Sequence, residues 1–317
     1  MRVLKAKTRR PLDLLAVGAG GLVAAASTAW DVRGDVEVWE VGSGKLALTL
    51  PGGVQDAFSL AFTPDSRYLL VGRDRSVVAY HAATGAEAAR LDTKGSFPEA
   101  AVSPEGSRLL VTETTDATGT TRCHALQTGP RFRELWSVAG GRLYCDPCFA
   151  PGGARAAVSV NESRGDRVRN HVHVFDAKAG TVAAKIAFDR DGSEPVEQVA
   201  FSADGSRVLA RARSRTVKVF NAATGAPAGE LVHPGRPFVT GMAVHPGGLV
   251  ACSRNNGQVC FWDLEKRELV RTIDWTKLIR DEDWKSAKLM SVAFAPDGSL
   301  GAAGTGDGQV VVWDVDE

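Results

Sequence analysis

The chain has 317 residues, 44% of them hydrophobic, so it can bury a large core. Its 38 basic and 37 acidic residues leave a formal net charge of +1. No global field therefore marks nucleic acid or a membrane surface as the partner.

In chain order, residues 1–31 open with Arg2, Lys5, Lys7, Arg9 and Arg10, followed by an apolar stretch, Leu14–Ser27, that ends among alanines. That is how a secretory leader reads, and the adjacent arginines resemble a twin-arginine export signal. Two features favour strands instead. Asp13 interrupts the apolar segment, and Leu14–Val17, Gly20–Ser27 and Val36–Glu40 align with three strands of each later repeat, so cleavage would leave the first repeat without two strands. Arg2–Lys7 (RVLKAK) alternates like a further strand.

The repeat is clearest in its last copy, Val292–Val315. Three apolar runs, Val292–Phe294, Leu300–Ala303 and Val310–Trp313, are separated by Pro-Asp-Gly and Gly-Asp-Gly. Proline pre-sets φ for the turn, Asp bonds the backbone two residues on, and Gly supplies the positive φ that ends it. The first-strand anchor recurs as Leu15-Ala16-Val17, Leu60-Ala61-Phe62, Ala100-Ala101-Val102, Cys148-Phe149, Val199-Ala200-Phe201, Met242-Ala243-Val244 and Val292-Ala293-Phe294. The spacing is about 46 residues, slightly above the 40–45 of a four-stranded propeller blade. Fourth strands follow in six copies: Lys45–Leu50, Ala86–Leu91, Glu134–Val138, Thr181–Phe188, Pro227–Val232 and Glu268–Ile273. The last copy has none after Trp313, so Arg2–Lys7 is expected to pair with Val310–Asp314 and close the ring, which removes two exposed sheet edges. The expected fold is all-β, a seven-bladed β-propeller of four-stranded antiparallel blades forming one domain over residues 1–317.

The third-strand endings Val38-Trp39-Glu40, Val174-Phe175-Asp176, Val219-Phe220-Asn221, Phe261-Trp262-Asp263 and Val312-Trp313-Asp314 resemble the Trp-Asp signature of WD-repeat propellers, and the resemblance spans essentially the whole chain. Tyr80-His81 and Cys123-His124 stand in weaker copies, and the Gly-His dipeptide that usually opens a repeat is missing. Arginine outnumbers lysine 27 to 11, with abundant Ala and Gly, which a GC-rich bacterial genome explains.

The loops fall into two sets. First-to-second turns such as Pro64-Asp65-Ser66 and Pro296-Asp297-Gly298 are short and uniform, as are most third-to-fourth turns, and they share one face of the disc. The opposite face receives the second-to-third and inter-blade loops, where the irregular stretches fall: Thr28–Asp35, Thr112–Thr120, Gly140–Asp146, Asn161–Asn170 and Asp274–Lys288. Insertions concentrated on one face mark a binding face. Arg73, Arg75, Arg164, Arg167, Arg169, Arg211, Arg213, Arg215 and Arg254 lie at or near those loops, interleaved with acids. Their forked guanidiniums favour carboxylates or phosphates on a partner. Trp30, Trp275 and Trp284 sit in the same loops, and interface hot spots are enriched in Trp and Arg. The candidate partner surface is Trp30, Arg33, Arg73, Arg75, Arg167, Arg211, Arg213, Arg254 and Trp284. Trp275, Leu278 and Ile279 have helical spacing, which predicts a short turn packed onto the disc.

Catalytic chemistry is thin. Cys145-Asp146-Pro147-Cys148 has redox or half-zinc spacing, but it lacks a second pair and the strand-to-helix setting of a redox motif. His171 and His173 alternate on one strand face and read as ordinary strand residues. No phosphate-cradling loop, nucleophile elbow or zinc helix occurs. Five cysteines, an odd number, indicate a reducing compartment. The expected function is a non-catalytic, monomeric, cytoplasmic scaffold without cofactor or membrane span that holds a protein or peptide partner, with acidic groups favoured. The alternative is a propeller enzyme or small-ligand binder of lactonase-like or periplasmic type with its site at the channel mouth. Nucleic acid is disfavoured, since only a local patch could hold it.

Overall fold

A computed structural model describes residues 1–7, 9–28, 35–50, 57–114, 119–127, 131–140, 142–143, 147–164, 167–188, 195–278 and 288–316. Local turn chemistry sets the strands. The Asp65 carboxylate accepts from the Arg67 backbone N–H and the Thr63 hydroxyl, and Asp297 accepts from the Ser299 N–H in the same way. Gly205 and Gly298 close their turns at φ of 70° and 77°, the left-handed region that Gly enters without steric cost. Ser66 takes that place in the second repeat at φ 53°.

The result is a β-propeller of four-stranded antiparallel blades. In chain order the sheets are β2 (Leu14–Val17), β3 (Leu22–Ala26), β4 (Val36–Glu40) and β5 (Lys45–Leu50); then β6 (Ala57–Phe62), β7 (Tyr68–Arg73), β8 (Ser76–His81) and β9 (Glu87–Asp92); then β10 (Ser96–Val102), β11 (Arg108–Thr114), β12 (Gly119–Gln127) and β13 (Arg131–Gly140). A five-stranded sheet follows: β14 (Arg142–Leu143), β15 (Cys148–Phe149), β16 (Arg155–Arg164), β17 (Arg167–Asp176) and β18 (Val182–Ala187). Next come β19 (Gln198–Phe201), β20 (Arg207–Arg211), β21 (Thr216–Asn221) and β22 (Pro227–Val232), then β23 (Val239–Val244), β24 (Leu249–Arg254), β25 (Gln258–Asp263) and β26 (Glu268–Asp274). The last sheet joins β27 (Leu289–Phe294), β28 (Leu300–Thr305) and β29 (Gln309–Asp314) to β1 (Arg2–Lys5), with Arg2 opposite Val312 and Lys5 opposite Gln309.

Each innermost strand abuts the next. The contacts run from β2 to β6, β10, β15, β19 and β23, then to β27, which returns to β2. The core lies in the seams between sheets rather than at a single centre. Val17, Val23 and Trp39 of the first sheet meet Leu4, Val310 and Val312 of the last, all buried. Val172, Val174 and Ile186 likewise meet Val199, Phe201 and Val208.

Two of the expected irregular loops are ladder instead. β16 and β17 stay paired out to Arg164 opposite Arg167, and β11 and β12 out to Thr114 opposite Gly119. Their hairpins lengthen because each residue added to both strands keeps its backbone polar groups paired. β14 adds a short pairing on the far part of β16, with Arg142 opposite Asn161.

Candidate functional site at the channel mouth

The inner strands surround a cavity of about 400 Å³. Its wall mixes apolar side chains, with Leu15, Leu60, Ala101 and Val292 among them, and polar groups, and Asp13, Glu197 and Arg211 bring charge to the end where inner strands begin. That end is the irregular-loop face. Asp13 accepts from the backbone N–H of Thr28 at 2.9 Å and also from its hydroxyl.

Arg211 carries the densest hydrogen bonding at the mouth. Its Nε donates to Gln198 Oε1 at 3.0 Å, one terminal nitrogen to Glu197 at 2.8 Å, and the other to the Thr240 carbonyl at 2.7 Å. Gln198 in turn accepts from the Met242 N–H and donates to the Met242 carbonyl, so β19 and β20 are stitched to β23. Arg211 is 7% exposed and faces this seam.

The other expected arginines divide by the same physics. Arg254 is 2% exposed and donates to the carbonyls of Pro234 and Pro237, fastening the loop that precedes β23. Arg73 is 7% exposed. Arg211 and Arg254 turn inward because carbonyls of a neighbouring segment lie over the end of the second strand and attract a donor that the sequence alone would leave in water. Burial leaves little of the Arg73, Arg211 and Arg254 guanidiniums open on the face, and Arg211 also lines the cavity. Arg75 and Arg213 are exposed. Arg75 donates to the Lys94 carbonyl at 3.2 Å, and Arg213 lies 5.6 Å from the Phe238 ring centre. Arg167 opens β17, and its side chain lies outside the described residues, as do Trp30, Arg33 and Trp284.

Trp275 begins a single helical turn, α1 (Trp275–Leu278), capped by Asp274, which accepts from the Thr276 N–H and hydroxyl. The ring is 2% exposed and lies 5.6 Å from Trp313, so Trp275 packs onto the disc; the Leu278 side chain and Ile279 lie outside the described residues. Cys252 and Cys260 are free thiols, and Cys145 lies outside the described residues. Burial pushes the Cys252 thiol up, away from thiolate chemistry. Among the described residues no cluster of three or more metal-ligating side chains forms.

Phe97 was not expected. It is 39% exposed at φ 57°, a left-handed conformation unusual for a bulky side chain, and its ring sits edge-on to Phe58 with centroids 5.0 Å apart. The neighbouring groups hold it there. The Glu113 carboxylate accepts from the N–H groups of Lys94 and Gly95, and Ser59 Oγ accepts from the Ala100 N–H while donating to the Pro98 carbonyl. A Cβ on Gly72 would fall 2.0 Å from that same Pro98 oxygen. The ladder shifts register between Ser96 and Glu99, which throws Phe97 out of the sheet. The Phe97-Pro98 dipeptide gave no signal of this, since Pro favours extended backbone with negative φ at the residue before it.

Two segments, residues 44–81 and 280–314, match the family described as WD domain, G-beta repeat. The first runs from the outer strand of one blade through three strands of the next, so the sequence repeat is offset from the blade. No curated protein matches the chain. Among solved structures, the Cps50 (Swd1) β-propeller domain of Myceliophteria thermophila superposes with a TM-score of 0.74 at 14% identity, covering 99% of this chain and 98% of that one. The resemblance to WD-repeat propellers is therefore borne out, and the chain shares their fold.

Proposed function

We propose that the chain is a non-catalytic interaction module, a closed disc of seven blades in one domain, which holds a protein or peptide on its irregular-loop face. WD-repeat propellers generally act as protein-interaction scaffolds. The count of seven takes the β14–β18 sheet as a blade with one added strand, and the circuit of inner strands supports closure.

The observation that carries the reading is Phe97. Left-handed backbone at a bulky residue costs on the order of 1–3 kcal/mol and persists only where the surroundings over-determine it. Here a rigid set of hydrogen bonds offers an aromatic ring to solvent near the start of β10, with exposed Lys94 three residues before it in the chain and exposed Arg75 bonded to the Lys94 carbonyl. A preorganised aromatic anchor with nearby cations suits a partner segment that has an apolar side chain beside a carboxylate.

The titratable groups at the cavity, Asp13 and Glu197, are engaged by Thr28 and Arg211, which favours scaffolding over acid–base work. The free Cys252 and Cys260 thiols fit a reducing, cytoplasmic setting, and among the described residues no helix is long and apolar enough to cross a membrane. Affinity capture from the native host tests the reading. The unaltered chain should retain a partner that a Phe97→Ala, Arg75→Ala variant loses, while changes at Glu87 or Lys178 on the short-loop face leave capture intact. Capture abolished only by the short-loop changes would reverse the assignment of faces.

A further inference from the structure

His233 follows β22 and opens the loop to β23. It is 1% exposed, and neither ring nitrogen has a hydrogen-bond partner among the described residues. A buried imidazole normally spends at least one nitrogen on a partner, because a buried polar atom left unsatisfied bears its full desolvation cost. This one is instead packed edge-to-face against Trp262, with ring centroids 4.9 Å apart.

The charged and titratable groups around it are of one sign or neutral. Arg254 of β24 is the charged neighbour of the ring, and its guanidinium is committed to the carbonyls of Pro234 and Pro237 and to Gln258 Oε1. The Cys260 thiol of β25 lies 4.0 Å from Arg254. Arg215, between β20 and β21, donates to the Gly235 carbonyl, and Arg236 is exposed on the loop itself. The carboxylate in this chain of contacts, Asp274, is reached only through Gln258. A proton on His233 would thus create a second buried cation beside Arg254, with two N–H donors and no acceptor for either.

We propose that His233 is a proton-operated latch: protonation of its ring drives residues 233–238 off Arg254 and remodels the irregular-loop face between the fifth and sixth blades. Attraction between an imidazolium and the Trp262 ring offsets less than the cost of an unpaired buried charge. Burial first, and Arg254 second, accordingly hold the His233 pKa down to about 4 from an ordinary 6.5. Because the folded state resists the proton, the closed loop is fully stable above the ordinary pKa and loses stability as pH falls through the window below it. The latch is a property of the chain alone and does not depend on which partner the face holds.

The loop's bonded amides give the readout. His233 N–H donates to the Arg215 carbonyl, Phe238 N–H to Asn255 Oδ1, and Val239 N–H to the Ser214 carbonyl. Hydrogen exchange of the full chain, corrected for intrinsic rates, should show these amides losing protection by about tenfold or more between about pH 7 and pH 4.5, while β24 and β25 stay protected. In His233→Phe, which keeps an aromatic ring on Trp262 and cannot take a proton, the loss should vanish. Equal protection at both pH values, an equal loss in the variant, or a loss spread over all the sheets would each overturn the latch. If the variant fails to fold, NMR titration of the His233 imidazole in the unaltered chain decides. A strongly depressed midpoint coupled to the loop resonances supports the latch, and an ordinary midpoint or an unresponsive loop refutes it.

Discussion

Ser291 and Leu12 lie 279 residues apart in the chain, yet the Ser291 hydroxyl donates a hydrogen bond of 2.7 Å to the Leu12 carbonyl. Beside it, Gly304 faces Ser291 across the ladder, and a Cβ there would fall 2.2 Å from the same oxygen. Ser59, Gly72 and the Pro98 carbonyl repeat this arrangement between the second and third sheets. A small second-strand residue admits the neighbour's backbone, and a serine hydroxyl secures it.

Gly304→Ala and Gly72→Ala should therefore each destabilise the chain by about 2 kcal/mol or more, because the obstacle is backbone that cannot rotate away. Urea unfolding checks this. A loss within experimental error would mean that the seams open more easily than their contacts suggest.

Deleting residues 1–8 should lower the melting temperature and promote oligomers. The deletion removes the ladder between β1 and β29, at about 1 kcal/mol per hydrogen bond, and bares an edge strand. It also removes the Arg2 contacts to the Val41 and Gly42 carbonyls. Calorimetry with light scattering would detect both effects; a monomeric truncation with unchanged melting would refute the prediction.

Arg211→Met should cost about 1–3 kcal/mol, since it leaves the Thr240 carbonyl and Gln198 Oε1 without their donor in the seam, while the part-exposed Glu197 carboxylate turns to water. Arg213→Ala, two residues on and exposed, should stay within about 0.5 kcal/mol. Similar denaturation midpoints for the two variants would contradict the division into structural and surface arginines.

At Phe97, substitution by Gly should give a chain about 1 kcal/mol more stable than substitution by Ala, because both lose the ring and only Gly is at ease at φ 57°. Both should lose the captured partner alike. Partner retention in either variant would remove Phe97 from the contact surface.

Acid stability should carry two opposing contributions. Glu37 in β4 is 3% exposed and accepts the Lys7 N–H at 3.1 Å through both oxygens, and burial raises its pKa above the ordinary value. The folded state thus holds its proton more tightly, so this contribution favours folding at low pH and fades as pH rises through the raised pKa. Asp204 has the reverse sign. The hydroxyls of Ser202 and Ser206, together with the Ser206 N–H, hold it to about 2, so its contribution is present above the ordinary 3.8 and lost as pH falls toward 2. Glu37→Gln should stabilise the chain at neutral pH relative to its effect near pH 4, and a pH-independent difference between the two proteins would count against it.

The sequence by itself determined the strands, their turns and their order, because Pro-Asp-Gly turns and apolar runs act over a few residues. Even the pairing of β1 with β29 was legible, since the last repeat lacks a fourth strand and Arg2–Lys7 supplies one. Tertiary structure alone decided which polar side chains reach solvent. Arg211 and Arg213 differ by two positions and look alike in the sequence, yet one is enclosed by carbonyls from β23 and the other is exposed beside the Phe238 ring. The same holds for Phe97, whose conformation follows from the Pro98 backbone seated against Gly72, and for His233, whose neighbour Arg254 comes from another blade. Such contacts join residues far apart in the chain, and the energy of a buried charge or strained backbone depends on what the rest of the chain packs around it.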